Sequence, residues 1–279
     1  MKKLIILTLI LFISACGSNE TKQDQENPLK DIDPKTVVEF KDEEFEKMIR
    51  EMTLKPDGDI YAEDMEAFDE INLNAVQVSD LTGLEYAKNL TIFSANKTNL
   101  NSLKPLKNLE KLERLTIRYL ELEDPILEFS NNVNLNYVLI IETNISNLDF
   151  LTNMTNLDYL TVNRSGVTNV ESLEKLNNLT HINFHGNDIT DIEPLRGKTK
   201  VTSINFQSNE NLANIDALEE LTSLEYVTLS YTSVRNLKPL EELEKLEDLT
   251  IYLNHDVKHM IFDQISLFEN KGVEVSYHR

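Results

Sequence analysis

From Phe68 to Tyr252 one pattern of apolar positions recurs nine times, in units starting at Phe68, Leu90, Leu112, Leu135, Leu157, Leu179, Val201, Leu224 and Leu246. The starts lie 22 or 23 residues apart, and a fixed period of that size predicts a solenoid. Each unit follows Leu-x-x-Leu-x-Leu, with further apolar residues near the eleventh, fourteenth and seventeenth places. Leu157, Leu160, Val162, Val167, Val170, Leu173 and Leu176 show the template clearly. The fourth and sixth residues (Leu160/Val162, Ile182/Phe184, Ile204/Phe206, Val227/Leu229) alternate with period two, as a strand with one buried face must. The later residues fall three apart, which suits a short 3-10 or helical turn. A strand and a turn cannot bury a core alone. Stacked coils can, by laying their strands parallel and sharing one apolar column, in which each fully buried aliphatic or aromatic side chain contributes roughly 1.5 to 3 kcal/mol.

Outside the array the pattern changes. In residues 36–67, Asp42 is placed to N-cap a helix carrying Phe45, Met48, Ile49 and Met52, and Pro56-Asp57-Gly58 breaks it. Asp64 precedes a second short helical stretch leading to Phe68. Two helices here read as an N-terminal cap over the open end of the column. In residues 253–279, Val257, Ile261, Ile265 and Phe268 line a last helix that Gly272 ends, and Val273–Tyr277 gives a final strand. That reads as a C-terminal cap, with the chain complete at Arg279. The third unit is irregular: Pro125 stands where its turn should be and one residue is extra, so a bulge on the convex side is expected. The seventh unit carries its extra residue at the bend.

The segment Leu179-Thr-His-Ile-Asn-Phe-His-Gly-Asn-Asp-Ile-Thr-Asp-Ile-Glu-Pro-Leu195 resembles the 22-residue leucine-rich repeat of the internalins and related surface proteins of Gram-positive bacteria. The resemblance implies an α/β solenoid with a parallel concave sheet, short 3-10 or helical turns on the convex side, and the function of a binding module. In that family the ninth residue of a unit is preferably Asn, bonding exposed backbone at the bend. Here it is Asn187, Asn209 and Asn254, with Thr98, Thr143, Ser165 and Thr232 as weaker substitutes and with Val76 and Leu120 unable to serve.

Residues 1–16, MKKLIILTLILFISAC, combine two lysines with an apolar run too short to span a bilayer permanently. The ending Ile13-Ser14-Ala15-Cys16 resembles the lipobox of bacterial lipoproteins. That implies cleavage after residue 15 and a diacylglyceryl group on Cys16; an ordinary secretory signal with an incidental cysteine is the alternative. Cys16 is the single cysteine, so no intramolecular disulfide is possible. Residues 16–35 are polar and proline-bearing, a flexible tether of about 25 Å. Removing residues 1–15 takes Lys2 and Lys3 and moves the formal charge from −21 to −23. So acidic a body repels nucleic acid and anionic lipid, leaving the lipid anchor as the only membrane contact. The expected place is the outer face of the cytoplasmic membrane, as a monomer.

The third, fifth and seventh residues of each unit point to the concave face. From the fourth unit to the eighth they are Tyr137, Leu139, Ile141, Tyr159, Thr161, Asn163, His181, Asn183, His185, Ser203, Asn205, Gln207, Tyr226, Thr228 and Ser230. None is charged, where a chain with 27% charged residues would place about four. One account is intrinsic: parallel strands put like positions in register, which penalises charge and favours Thr, Tyr and Asn. The other is a partner-binding patch of aromatics with Leu139 and Ile141 as an exposed apolar pair. On the second account the contact residues are Tyr137, Leu139, Ile141, Tyr159, Asn163, His181, His185, Gln207, Tyr226 and Tyr252, with Arg114 and Arg118 as steering rim charges.

No catalytic motif or cofactor signature stands out, so an enzyme is not expected. His181 and His185 lie about 13 Å apart along a strand, too far to share a metal. His255 and His259 lack a clear third ligand. Asp57-Gly58-Asp59, with Glu63 and Asp64, lacks the EF-hand spacing and reads as a solvated turn. The expected function is recognition of a protein, from the host or the bacterium, with a structural spacer or a glycan binder as alternatives.

Overall fold

The computed structural model describes residues 31–129, 131–252 and 258–277. The leader, Cys16 and most of the tether lie outside them, as do Asn254, His255, Val257 and His278.

Ten strands form one sheet in chain order: β1 (Glu70–Asn74), β2 (Ile92–Asn96), β3 (Arg114–Leu120), β4 (Tyr137–Thr143), β5 (Tyr159–Asn163), β6 (His181–Asn183), β7 (Ser203–Asn205), β8 (Tyr226–Thr228), β9 (Asp248–Thr250) and β10 (Glu274–Ser276). Every neighbouring pair is parallel. The register pairs like positions of successive units, as Tyr137↔Tyr159 and Tyr159↔His181 show. The chain returns between strands through 3-10 turns at Leu84–Tyr86, Lys104–Leu106, Asp149–Leu151, Glu171–Leu173, Glu193–Leu195, Asp216–Glu220 and Lys238–Leu240. The third unit has no such turn among its described residues. Proline and the extra residue replace it with an open bend, leaving Ile126 exposed.

Period two along each strand becomes burial. From Ile71 to Ile251 the fourth and sixth residues of all nine units are 1% exposed or less, and Phe184 stacks on Phe206 inside the column at 6.1 Å. Such contacts, repeated coil on coil, give the array one continuous core.

The N-terminal cap holds α1 (Glu43–Thr53) and α2 (Ala62–Met65). Asp42 caps α1 through Phe45 N–H at 2.9 Å, and its other oxygen accepts from the Ser79 N–H and hydroxyl. One carboxylate therefore both starts the helix and pins it to the first coil. Burial acts to raise that carboxyl, but the bonds from Ser79, Phe45 and Asp80 outweigh it and hold it below its ordinary value. Phe45 and Ile49 are fully buried, whereas Met52 is 45% exposed; Leu54, left-handed at the C-cap, turns the chain before Pro56. Asp64 lies inside α2 rather than ahead of it, accepting the Tyr61 N–H and both bonds from Lys55. Glu63 pairs with Lys35, and among the described residues no group of three or more His, Cys, Asp or Glu is arranged to hold a metal ion. Pro34 also belongs to the cap, its carbonyl accepting from Glu63 N–H. At the other end α3 (Lys258–Asn270) buries Ile261, Ile265 and Phe268, Gly272 is left-handed, and β10 adds to β9.

Candidate functional site

Two columns of side chains run the length of the coils, and they spend their polar groups differently. The first is at the bend. Asn187 donates to the carbonyls of Val162 and Phe184 at 2.7 and 2.9 Å, and accepts from the N–H groups of Ser165 and Val167. Asn209 likewise donates to Phe184 and Phe206 and accepts from Ile189. Thr143 and Thr232 serve with fewer bonds, and the buried Thr98 hydroxyl finds no partner. Beside Leu120, which is buried, the gap is filled from the next coil: Asn144 accepts from Leu122 N–H at 3.0 Å and donates to its carbonyl at 2.7 Å. The ninth-place rule could not show that substitution, because Asn144 stands one place later.

The eighth residue of each of the first eight units turns the corner in the left-handed conformation. Ala75, Lys97, Tyr119, Glu142, Arg164, Ser208 and Tyr231 have φ of 50 to 59°, and Gly186 has 70°. Each non-glycine there costs roughly 1 to 2 kcal/mol. The sequence holds one signal for it: none of the eight is β-branched, the class that tolerates positive φ least. Their side chains form an edge row beside the sheet, with the Lys97 ammonium 5.3 Å from the Tyr119 ring centroid and Arg164 paired to Glu142 at 3.0 Å.

The second column lies on the open face. The register stacks third residues on one another, so the Arg114 guanidinium sits 4.1 Å from the Tyr137 ring centroid, Tyr137 and Tyr159 stack at 4.6 Å and 8°, and Tyr159 meets His181 at 5.6 Å and 29°. Arg114, exposed beside the uncharged strip, is thus also the head of an aromatic stack. Arg118 is half-buried, and its buried Nε has no partner. Leu139 is only 6% exposed, because neighbouring strands crowd the middle of the face; the expected apolar pair reduces to Ile141, half-buried. Thr161 is 3% exposed with an unpartnered hydroxyl, and Asn96 Oδ1 and His185 Nδ1 are also buried without partners. Burial, then the nearby Arg164 charge, push the His185 imidazole below its ordinary value.

Beyond His181 the column breaks. Ser203 is next, followed by Tyr226, 46% exposed, whose hydroxyl donates to Glu247 at 3.0 Å. That bond, with the charges of Glu247, Glu225 and Asp248, raises the Tyr226 phenol. Asn163 accepts from His185 N–H at 3.0 Å, Gln207 is half-buried, and Tyr252 lies 6.5 Å from Tyr231 at the far end. The structure therefore brings Arg114, Tyr137, Tyr159 and His181 into one contact chain and leaves Tyr226 and Tyr252 apart from it.

A ten-stranded parallel sheet backed by short turns and capped at both ends defines an α/β solenoid of the internalin leucine-rich-repeat type. Among solved structures it is similar to internalin C2 of Listeria monocytogenes, with TM-score 0.63 and 23% identity over 76% of this chain and 94% of that one. It is also similar to the functional domain of InlJ from the same organism, which includes a cysteine ladder, with TM-score 0.54 and 17% identity over 86% of this chain and 60% of that one. At these identities the likeness is one of fold. No protein-family model matches the chain, and no curated protein does.

Proposed function

We propose that this protein is a surface-displayed binding module that recognises a protein partner, on a host cell or on the bacterium, through the open face of its sheet. The single observation that carries this reading is the uncharged strip of outward residues from the fourth unit to the eighth, on a body of formal charge −21. The ring geometry favours protein over glycan. Sugars pack on exposed ring faces, whereas Tyr137 and Tyr159 cover each other's faces and present edges and hydroxyls.

The anchoring part of the proposal rests on the leader and Cys16. Two acyl chains hold a protein stably at a membrane, and the acidic body keeps clear of the lipid surface. Radiolabelled palmitate supplied to the producing cell is expected to label the wild type and not Cys16→Ser; equal labelling of both removes the anchor from the account.

The test of the binding face is capture from extracts of host cells and of the bacterium by wild type and by the Tyr159→Glu/Tyr226→Glu variant, with both shown folded by circular dichroism. A protein retained by wild type alone supports the reading. Identical retention by both contradicts it, and capture that survives protease treatment of the target surface points to glycan instead.

A further inference from the structure

The third-residue column is filled from Arg114 to His181 and resumes at Tyr226, with Ser203 between them in register. Ring to ring, the filled part advances by 4.6 and 5.6 Å, close to the roughly 4.8 Å between strands. His181 and Tyr226 are two strands apart, about 10 Å, and only a serine side chain occupies the interval. A planar group placed over Ser203 would continue the column at the spacing it already has.

Both walls of this interval are held from behind. Thr180 Oγ1 donates to Asp158 and lies 2.7 Å from His181 Nδ1, within hydrogen-bond distance, and His181 rests on Tyr159 on the side away from Ser203. The Tyr226 hydroxyl is tied to Glu247 in the ninth coil. The surface behind Tyr226 is acidic: Glu225 precedes it in the chain, Glu247 takes its hydroxyl, and Asp248 is its register partner in the ninth coil. None of these three carboxylates is in an ion pair among the described residues.

Resting on the proposed function above, we infer that the interval over Ser203 is a slot for the guanidinium of an arginine side chain on the protein partner. A guanidinium is flat, stacks on aromatic faces and carries positive charge. A lysine ammonium matches the acids but cannot fill a planar gap. A neutral aromatic ring fills the gap but gains nothing from Glu225, Glu247 and Asp248. The arrangement at the head of the column, where Arg114 lies on Tyr137, shows the same pairing within the chain.

The test uses the full chain in mild detergent, ring-labelled with carbon-13 at its five histidines and assigned through His181→Gln. The peptide acetyl-Gly-Arg-Gly-amide is titrated against its lysine, citrulline and phenylalanine counterparts. The expected result is a saturable shift of His181 with the arginine peptide, at least about fivefold tighter than with lysine. Ser203→Tyr, which fills the slot, is expected to abolish the shift, and Ser203→Ala to keep it. Tyr226→Ala, which removes one wall, is expected to weaken it several-fold. Equal binding of arginine and lysine, tighter binding of phenylalanine or citrulline, no response of His181, or a response that survives Ser203→Tyr would each overturn the inference. If those peptides fail while Tyr159→Glu still loses the captured partner, the slot falls and the binding face stands. If the arginine peptide binds but Tyr159→Glu keeps its partner, the binding face falls, and the arginine-for-partner assignment goes with it.

Discussion

The bend column and the open-face column repeat with the same period, yet the bend, Thr98 apart, spends its polar groups on backbone, whereas the open face spends fewer of them there. At the bend, Asn187 satisfies four backbone groups of its own and the preceding coil. On the open face, Thr161 buries a hydroxyl with no partner at all, within one coil of that asparagine. A polar residue whose bonds all return to its own backbone holds the fold. One that leaves a buried atom unsatisfied lowers stability. The comparison separates the residues that carry stability from those free to carry recognition.

The largest effect is expected from Asn187→Ala. Three buried backbone groups lose the Asn187 side chain as partner and the Phe184 carbonyl keeps only Asn209, so stability should fall by about 3 kcal/mol, read as a lower urea midpoint with the binding face intact. Tyr159→Ala removes two stacking contacts and should cost about 1 to 2 kcal/mol, with His181 losing its ring-current shift in the NMR spectrum. The acid limb tests the cap. Because the Asp42 carboxyl is held below its unfolded value, its contribution is present above about pH 4 and is lost as pH falls through the folded value. Asp42→Asn should therefore lower thermal stability at pH 7 and flatten the acid-induced loss seen in wild type. Thr161→Val is the sharpest contrast with Asn187. Its hydroxyl bonds nothing, so the change should be neutral or stabilising by up to about 1 kcal/mol, while a cost as large as that at Asn187 would erase the distinction between the columns. The smallest effect is expected at Ala75, whose positive φ makes Ala75→Gly stabilising by about 0.5 to 1 kcal/mol in the same urea titration.

Periodicity made the coils legible because burial is strictly two-fold along a strand, and the buried pairs Leu160/Val162 and Ile204/Phe206 stand where that rule puts them. Asp42 was legible for a similar reason, since a cap is a local arrangement of a few residues. Its second role, pinning Ser79 37 residues away, needed the fold. The face could be read for membership but not for depth: alternation gives Leu139 and Ile141 the same direction, and only the packing of neighbouring strands buries Leu139. The contact of Arg114 with Tyr137 was not legible because the two stand 23 residues apart, and a pattern of single positions carries no ring contacts. The slot over Ser203 is likewise a property of three coils together, invisible in any one.

The most direct test of the claim that recognition belongs to the open face is partner capture by two destabilised variants matched in stability, Asn209→Ala at the bend and Tyr159→Glu on the face. Both lower the urea midpoint, but only the second changes the surface offered to a partner. The account predicts that Asn209→Ala retains the partner as wild type does and that Tyr159→Glu loses it. Loss by both in proportion to their stability, or retention by both, would contradict it.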